Sequence, residues 1–165
     1  MRVAETPETA SEPQEVEGNV ANESGGEEAQ PDASPQADDD GLALVVIDPC
    51  EEDRLAVAAL ENEVGRPISA MDPSAICADL FEDFAEARVI LVEWDLGGRL
   101  GLDLVEHFIA DPRIQDVPIL LASAVLTRSM VLNGFRSGAR GFVSKPYSAE
   151  EIRARLAQVP LKPKA

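Results

Sequence analysis

The amino-acid sequence predicts an α/β fold: a five-stranded parallel sheet that is doubly wound by helices and preceded by a disordered acidic tail. Three observations favour this fold. Apolar runs without alternation, such as residues 89–92, are typical of strands that are covered on both faces. Stretches with helical spacing of apolar residues follow these runs. The connections are too short for anything but crossovers, which place consecutive strands parallel in one sheet.

The first forty residues differ from the rest of the chain in composition. They contain twelve acids, one base, four prolines and no aromatic residue. Such a segment buries too little apolar surface to offset the entropy of ordering it, so we predict that residues 1–40 are disordered. Residues 41–160, roughly 120 in number, are enough for one compact domain with a single core. Residues 161–165 form a basic C-terminal stub that we expect to fray.

Composition also limits the classes of function. The formal net charge is −17, of which the tail contributes −11, and no basic stripe is visible along the sequence. Binding to nucleic acid through phosphate neutralisation is therefore disfavoured. No apolar run reaches the length of a membrane span, and the amino terminus lacks the apolar core of a signal peptide. We expect a soluble, cytoplasmic protein that does not bind a membrane.

Strands and helices alternate in the amino-terminal half of the domain. Strands are predicted over residues 42–47, 68–71 and 89–93, and helices over residues 51–63 and 72–84. The first helix begins with three acids, which suit the positive end of its dipole, and Gly65 and Pro67 end it. Asp72 and Pro73 begin the second helix, because a capping side chain is followed by proline at the first helical position.

The same alternation continues in the carboxyl-terminal half. Strands are predicted over residues 117–122 and 141–144, and helices over residues 102–110, 126–136 and 148–159. Asp111 and Pro112 close the first of these helices, whereas Gly134 weakens the prediction of the next one. Ser148 and Glu151 form a capping box at the start of the last helix. Five strand–helix units in a domain of this size predict the flavodoxin-like doubly wound arrangement.

Four of the predicted strands end at a polar side chain. Asp48 follows the first strand, Glu93 ends the third, Ser123 follows the fourth and Lys145 follows the fifth. Because parallel strands place their carboxyl ends at one edge of the sheet, these side chains can converge although they are scattered in sequence. Two carboxylates, a hydroxyl and an ammonium would form an environment for an anion and a metal ion.

This pattern resembles the receiver domain of bacterial two-component response regulators, over residues 42–159. In that family an acidic pair after the first strand binds Mg²⁺, an aspartate at the end of the third strand accepts a phosphoryl group, and a Thr or Ser ends the fourth strand. Asp48, Glu93 and Ser123 match these three positions. Further family positions are matched by Arg54, Gly101, Ala124, Gly138–Ala139, Phe142 and Lys145–Pro146.

The resemblance implies a CheY-like fold and a role for individual residues. Glu93 is the equivalent of the phosphoacceptor, and Asp48 belongs to a degenerate acidic site. The switch or anion-sensing positions are Ser123, Phe142 and Lys145. Pro146 is the candidate for a cis peptide bond.

Two departures from the family pattern bear on function. Glu93 stands where the family has aspartate, and Pro49 stands where the second acid of the pair is expected; with the gap shifted by one residue, Ile47 replaces the first acid instead. Mg²⁺ prefers near-octahedral oxygen ligands, so we expect its binding to be weak or absent, and we predict no other cofactor. Phosphoryl transfer depends on positioning and charge neutralisation, so we expect ordinary aspartyl phosphorylation to be lost.

The leading hypothesis is a pseudo-receiver that is not an enzyme. In it, Glu93 reaches toward Lys145 and Ser123 and holds by permanent charge an arrangement that phosphoaspartate would otherwise create. Three alternatives stay open. Glu93 and Lys145 could form an ion pair without switching, or the domain could still be phosphorylated with Mg²⁺, at Asp95 or Glu93. The third is a flavin-binding protein, although the loop PCEEDR after the first strand lacks the hydroxyls of a phosphate-binding loop.

The function expected from the leading hypothesis is protein binding. No effector domain follows the last helix, so we expect a stand-alone receiver whose partner is a histidine kinase, another receiver or a motility or polarity factor; a homodimer is also open. The family commonly binds partners through its fourth helix, fifth strand and fifth helix, which correspond here to residues 126–137, Phe142 and 152–159. We interpret Trp94 as core packing rather than as a partner contact.

Overall fold

The computed structural model describes residues 43–77 and 80–160. Within these ranges the strands are β1 Leu44–Ile47, β2 Ile68–Met71, β3 Val89–Glu93, β4 Ile119–Ser123 and β5 Gly141–Ser144. The α-helices are α1 Glu51–Ala58, α2 Glu61–Val64, α3 Leu80–Ala85, α4 Gly101–Ala110, α5 Arg128–Arg136 and α6 Ala149–Gln158. The predicted tail and C-terminal stub lie outside the described residues.

The strands form one parallel sheet in the order β2-β1-β3-β4-β5. The register aligns their carboxyl ends, since Glu93 pairs with Ala122 and Ser123 pairs with Ser144. β1 lies between β2 and β3 and ends beside them. Residues that follow β1, β3, β4 and β5 therefore lie at one edge of the sheet. The predicted fold class, a parallel sheet that is doubly wound by helices, is confirmed.

The core lies on both faces of the sheet, because alternate side chains of each strand point to opposite sides. One face packs against Phe84 of α3 and Phe108 of α4, and the other against Val57 of α1 and Ile152 of α6. β1 and β3 are buried along their whole length, which explains their continuous apolar sequence. Full burial of one such apolar side chain stabilises the fold by roughly 1.5–3 kcal/mol.

The helix predicted over residues 51–63 is divided into α1 and α2. The break precedes α2 at Leu60, whose N–H donates to the carbonyl of Val57 at 3.0 Å in a tight turn. The sequence pattern counts Leu55 among the buried positions, but this side chain is 66% exposed. The break instead allows Leu60 and Val64 to pack against the core.

The prediction of one continuous helix over residues 72–84 is wrong. Asp72 caps only a 3₁₀ turn, Pro73–Ala75. Its carboxylate accepts from both the N–H and the hydroxyl of Ser74, which closes a local turn that competes with helix formation. The chain then becomes extended, and α3 begins after residues 78 and 79, which lie outside the described ranges. The remaining predicted elements agree with the structure to within two residues.

Two features of the carboxyl-terminal half were only partly predictable. A Cβ atom at Gly134 of α5 would lie 2.4 Å from Cζ of Phe142 on β5, so the helix can approach the sheet this closely because the residue is glycine. The capping box of α6 is half formed: the Ser148 hydroxyl accepts from the Glu151 N–H. The Glu151 carboxylate instead accepts from the N–H and hydroxyl of Ser144, which ties α6 to the end of β5.

Candidate functional site

A single ammonium group joins the ends of β1, β3 and β5. Nζ of Lys145 lies 2.7 Å from a carboxylate oxygen of each of three acids, Asp48, Asp53 and Glu93. Asp48 is fully buried, the side chains of Glu93 and Lys145 are each 10% exposed, and Asp53 lies at the solvent edge. We call these four residues the Lys145 cluster. Three carboxylates and one ammonium give it a formal charge of −2.

Asp48 is fixed by donors on every side. Its Oδ1 accepts from the Cys50 N–H at 2.8 Å, and its Oδ2 accepts from the Tyr147 hydroxyl at 2.9 Å. Its main-chain carbonyl accepts from Nη1 of Arg54 at 2.7 Å. Hydrogen bonds to a charged group are stronger than those between neutral groups. These hydrogen bonds fix the orientation of the Asp48 carboxylate at the end of β1.

Neighbouring negative charges keep Lys145 and Tyr147 protonated. Burial lowers the pKa of Lys145, but the carboxylates of Asp48, Asp53 and Glu93 outweigh that effect and raise the pKa above its ordinary value of 10.5. Burial and the negative charge of Asp48 raise the pKa of the Tyr147 hydroxyl well above its usual range. Lys145 is therefore an ammonium, and Tyr147 a neutral donor, at any physiological pH.

Glu93 is held at the end of β3 by two different kinds of contact. Its Oε1 accepts from the Asp95 N–H at 3.3 Å. Its Oε2 is buried and has no aligned hydrogen-bond donor among the described residues, although Lys145 Nζ lies at 2.7 Å. The chain returns close to Glu93 at Gly101. A Cβ atom at Gly101 would lie 2.2 Å from the Glu93 carbonyl oxygen, so a side chain there would clash.

Ser123 does not join the Lys145 cluster, contrary to the expected contact with Glu93. Its hydroxyl donates to the Val125 carbonyl at 2.9 Å and lies 3.3 Å from the Val125 N–H, which donates to it. Only the main chain connects it to the cluster, since the Lys145 N–H donates to the Ser123 carbonyl at 3.0 Å. The polar ends of β1, β3 and β5 thus meet, whereas the hydroxyl at the end of β4 bonds within its own loop.

The remaining predicted site residues lie near the cluster. The Lys145–Pro146 peptide bond is cis. Phe142 is buried and packs edge-on against Phe135 of α5, with ring centroids 5.4 Å apart. Trp94 is half-buried and packs against the core, as its interpretation from the sequence expects.

Two residues of the site were missed in the sequence. In the sequence, Asp53 is one of three acids that suit the dipole of α1. This helix begins at the carboxyl end of β1, so its first turn also faces the strand ends. Tyr147 follows Lys145 by two residues and supplies the hydroxyl that bonds to Asp48. A search for carboxylates in the first turn after each strand, and for hydroxyls beside the Lys-Pro pair, would have found both.

The carboxylate oxygens of this site, a ligand type that Mg²⁺ prefers, already contact donors of the protein. The Lys145 ammonium contacts all three carboxylates of the cluster, and both oxygens of Asp48 already accept from protein donors. Pro49 contributes no oxygen ligand from its side chain. The residues that the structure describes contain no group of three His, Cys, Asp or Glu side chains with the geometry of a metal site.

Comparison with known families explains the arrangement of strand ends. The family model described as the response regulator receiver domain matches residues 44–157, which is more than half of the chain. The chain belongs to this family. It is a receiver domain of two-component signalling, and receiver domains are signalling modules that interact with proteins such as histidine kinases.

Individual relatives are distant in sequence but similar in fold. The chain is 27% identical over 116 residues to the phosphate regulon regulatory protein PhoB of Escherichia coli, covering 70% of this chain and 50% of PhoB. It is 26% identical over 70 residues to the chemotaxis protein CheY of Pseudomonas aeruginosa, covering 42% of this chain and 56% of CheY. The chain thus spans about half the length of these curated relatives.

Solved receiver structures share the fold. CheY4 of Vibrio cholerae superposes with a TM-score of 0.63 at 19% identity, covering 72% of this chain and 98% of CheY4. The receiver domain of a sensor histidine kinase from Pseudomonas aeruginosa, with a magnesium ion coordinated in its active-site cleft, gives a TM-score of 0.58 at 17% identity, covering 72% and 96% of the two chains. Within the described ranges, no helix has the length and apolar character that a bilayer crossing requires.

Proposed function

We propose that this receiver works without phosphorylation and acts by binding a protein partner in the cytoplasm. The observation that carries the proposal is the Lys145 cluster. Glu93 occupies the position of the family's phosphoacceptor aspartate, and its carboxylate already lies 2.7 Å from the Lys145 ammonium. A permanent charge thus takes the place of one that other receivers acquire by phosphorylation.

Charge disfavours phosphoryl transfer at Glu93. Asp48 and Asp53 share the ammonium that an incoming phosphoryl group would need. Each unit of negative charge brought within about 4 Å of a carboxylate costs roughly 4 kcal/mol at an effective dielectric constant of about 20. Phosphoryl transfer relies on cations to offset this repulsion, and the cluster has a formal charge of −2.

The metal that receivers use for this chemistry is also disfavoured. A relative binds magnesium in its active-site cleft, whereas here an ammonium contacts the carboxylates of the cluster. We propose that Mg²⁺ binding is weak or absent and that no other cofactor is needed.

The state held by the cluster includes the switch positions. Lys145 is fixed by three carboxylates, and Phe142, three residues before it, is buried under Gly134 of α5. Both positions are connected through β5, whose last residue is tied to α6 by Glu151. The proposal is that this single arrangement is the one that the partner recognises.

Phosphorylation of the purified full chain tests the proposal. The chain is incubated with acetyl phosphate and Mg²⁺, and its intact mass is measured; no phosphoryl adduct is expected. The control is the double variant Pro49→Asp with Glu93→Asp. It restores the family's residue at both positions and should gain an adduct. An adduct on Glu93 or Asp95 of the natural sequence, at a rate similar to that of the control, would show the proposal to be wrong.

Three other interpretations of the site make different predictions. If the Glu93–Lys145 ion pair is merely structural, Glu93→Gln should leave the backbone NMR shifts of β5 and α5 unchanged; under the proposal these shifts move. Phosphorylation at Asp95 is disfavoured because this side chain is exposed and its Oδ1 accepts from the Gly97 N–H at 2.9 Å. A flavin-binding protein would be yellow when purified, and we expect a colourless one.

A further inference from the structure

The amino edge of the sheet carries a pocket, at the opposite end of the strands from the Lys145 cluster. It lies where β4 and β5 begin, between the end of α4 and the loops that lead into these two strands. Its volume is about 590 Å³, and cavities of roughly 300–1,000 Å³ are typical of sites for small molecules. We call it the amino-edge pocket. Its lining includes Ile109, Asp116, Val117, Phe135, Arg140 and Pro160.

Contacts within the domain hold the walls of this pocket in place. Arg88 is 4% exposed and donates from Nη1 to the Pro160 carbonyl at 3.2 Å, which fixes the chain after α6. Gly138 has a φ of +99°, and a Cβ atom there would clash with Cδ1 of Ile109. Glycine therefore allows the loop before β5 to pack directly on α4. A pocket with fixed walls loses little conformational entropy when a ligand enters it.

Two opposite charges line the amino-edge pocket. Asp116 lies in the loop before β4, Arg140 directly precedes β5, and both residues are exposed. Neither side chain forms a hydrogen bond or an ion pair with another residue that the structure describes, although both line the same cavity. A guanidinium suits a carboxylate, and a carboxylate suits an ammonium. With the apolar residues beside them, the two charges suit a ligand that has an ammonium, a carboxylate and an apolar body.

Other kinds of small molecule fit this lining less well. A phosphate ester would pair with Arg140, but Asp116 would repel it, as would the net charge of −17 on the chain. A simple cation would pair with Asp116 and would be repelled by Arg140. A purely apolar molecule would leave both charges without a partner while it excluded water from them, which is unfavourable.

We propose that the amino-edge pocket binds a small zwitterion with an apolar body, of the class of an apolar amino acid or a short apolar peptide. Its ammonium pairs with Asp116, its carboxylate pairs with Arg140, and its apolar body packs on Ile109 and Phe135. This binding does not depend on the proposed function, so either one can fail alone. If both hold, the ligand supplies the domain with an input other than a phosphoryl group.

Phe135 connects the pocket to the switch position Phe142. Its side chain is 51% exposed, and its ring packs edge-on against that of Phe142 with centroids 5.4 Å apart. Phe142 is buried three residues before Lys145. A ligand that contacts Phe135 shifts the packing of these rings to the extent that it binds one arrangement more tightly than another. The pocket thus has a route to β5 that does not pass through the Lys145 cluster.

An NMR titration of the full chain tests the class of ligand. The probes are phenylalanine and the dipeptide phenylalanyl-leucine, each also in an acetylated form that lacks the ammonium and an amidated form that lacks the carboxylate. We expect saturable shifts of the backbone amides of Val117, Gly138 and Ala139. The modified forms should bind about fivefold more weakly, because each loses one ion pair. The tighter of the two zwitterions distinguishes a free amino acid from a peptide as the source.

Variants that remove one charge assign the two ends of the ligand. Asp116→Asn should weaken binding of the zwitterion about fivefold and leave the acetylated form unchanged, since that form has no ammonium to lose. Arg140→Gln should do the same for the zwitterion and leave the amidated form unchanged. The matched controls are Asp103→Asn and Arg99→Gln, which remove the same charges at the other edge of the sheet. Their affinities should stay within about twofold of the natural sequence, and circular dichroism melting checks that all four variants are folded.

Four results would overturn the inference. They are the absence of saturable shifts at the pocket amides, equal affinity for the zwitterionic and modified probes, equal losses in the pocket variants and their controls, or nuclear Overhauser contacts between Leu161 and Val117 in the free protein. The last result would mean that the residues after Pro160 occupy the pocket. Unchanged ring resonances of Phe142 at saturation would overturn its link to the switch position. A phosphoryl adduct on Glu93 with intact ligand binding would refute only the proposed function.

Discussion

The Lys145 cluster and the amino-edge pocket differ in how completely their polar groups are paired. In the cluster, one ammonium contacts three carboxylates, and Asp48 also accepts from Cys50 and Tyr147. In the pocket, Asp116 and Arg140 pair with no other residue that the structure describes, and apolar side chains line the same cavity. Groups that are already paired gain little from a ligand, whereas unpaired groups beside apolar surface gain more.

This difference in pairing assigns a different role to each region, stability to the one and binding to the other. The ends of β1, β3 and β5 form a network of fixed charges, and changes there should act most strongly on stability. The charges of the amino-edge pocket have fewer contacts to lose, so changes there should act on binding rather than on folding. Stability measurements on variants of the two regions therefore test whether the regions differ in their effect on folding.

The largest effect is expected when the ammonium is removed. Lys145→Met leaves Asp48 and Glu93 buried without their counter-charge, and removing one partner of a buried ion pair costs about 3–5 kcal/mol. Urea unfolding at neutral pH measures this loss. Combining Lys145→Met with Glu93→Gln should recover part of it, because one uncompensated charge is gone. A loss below about 1 kcal/mol, within the range of exposed pairs, would contradict the view that the cluster is a fixed network.

A smaller loss is expected at Tyr147. Tyr147→Phe removes the hydroxyl that donates to Asp48 and changes little else in the packing. Hydrogen bonds to charged groups contribute about 1.5–3 kcal/mol, so the free energy of unfolding should fall by that amount. The control is Tyr147→Phe in the Asp48→Asn background, where the loss should be smaller. Equal losses in both backgrounds would mean that the hydroxyl does not act through Asp48.

Gly134→Ala tests the link between Phe142 and α5. The new Cβ would lie 2.4 Å from Phe142 Cζ and 2.8 Å from Leu121 Cδ1, so overpacking should destabilise the domain by roughly 1–3 kcal/mol. At an open helical position the same change would be stabilising. Phe142→Leu in the same chain should relieve the clash. Thermal melting of the single and double variants measures both effects.

Asp53 should contribute less than the buried members of the cluster. Its side chain is 33% exposed although it lies 2.7 Å from Lys145 Nζ, so water screens the pair. Asp53→Asn should lower the free energy of unfolding by at most about 1 kcal/mol. Glu52→Asn, an exposed acid in the same helical turn, is the control for the helix dipole. An effect as large as that of Lys145→Met would place Asp53 among the buried charges.

The sequence alone predicted most of the fold and three of the four members of the Lys145 cluster. The strands were recognisable because burial on both faces forbids alternation, as in β1 and β3. The parallel order then placed Asp48, Glu93 and Lys145 at one edge. The hydroxyl of Ser123 bonds within its own loop and not to the cluster. The spacing of apolar residues in the sequence does not determine which of these two bonds forms. The turn at Asp72 was missed for the same reason, since its carboxylate bonds locally to Ser74.

The smallest effect is expected at an exposed ion pair that belongs to neither region. The carboxylate of Asp111 accepts from Nε and Nη2 of Arg113 at 3.0 and 2.7 Å. These hydrogen bonds lower the pKa of Asp111 from 3.8 to about 2. Because the pKa is lower in the folded state, the stabilisation is complete above about pH 4 and is lost as the pH falls through about 2.

NMR titration of the Asp111 carboxyl carbon measures this pKa directly. Arg113→Gln should return the midpoint toward 3.8. Asp111→Asn should lower the free energy of unfolding slightly at neutral pH, and should reduce the loss of stability between about pH 4 and pH 2 by the same amount. A midpoint near 3.8 in the natural sequence would contradict the pairing. Removing one charge of this exposed pair should cost far less than removing Lys145 from its cluster. Water solvates the charge that is left at the surface, whereas a buried charge is left without either water or a counter-ion.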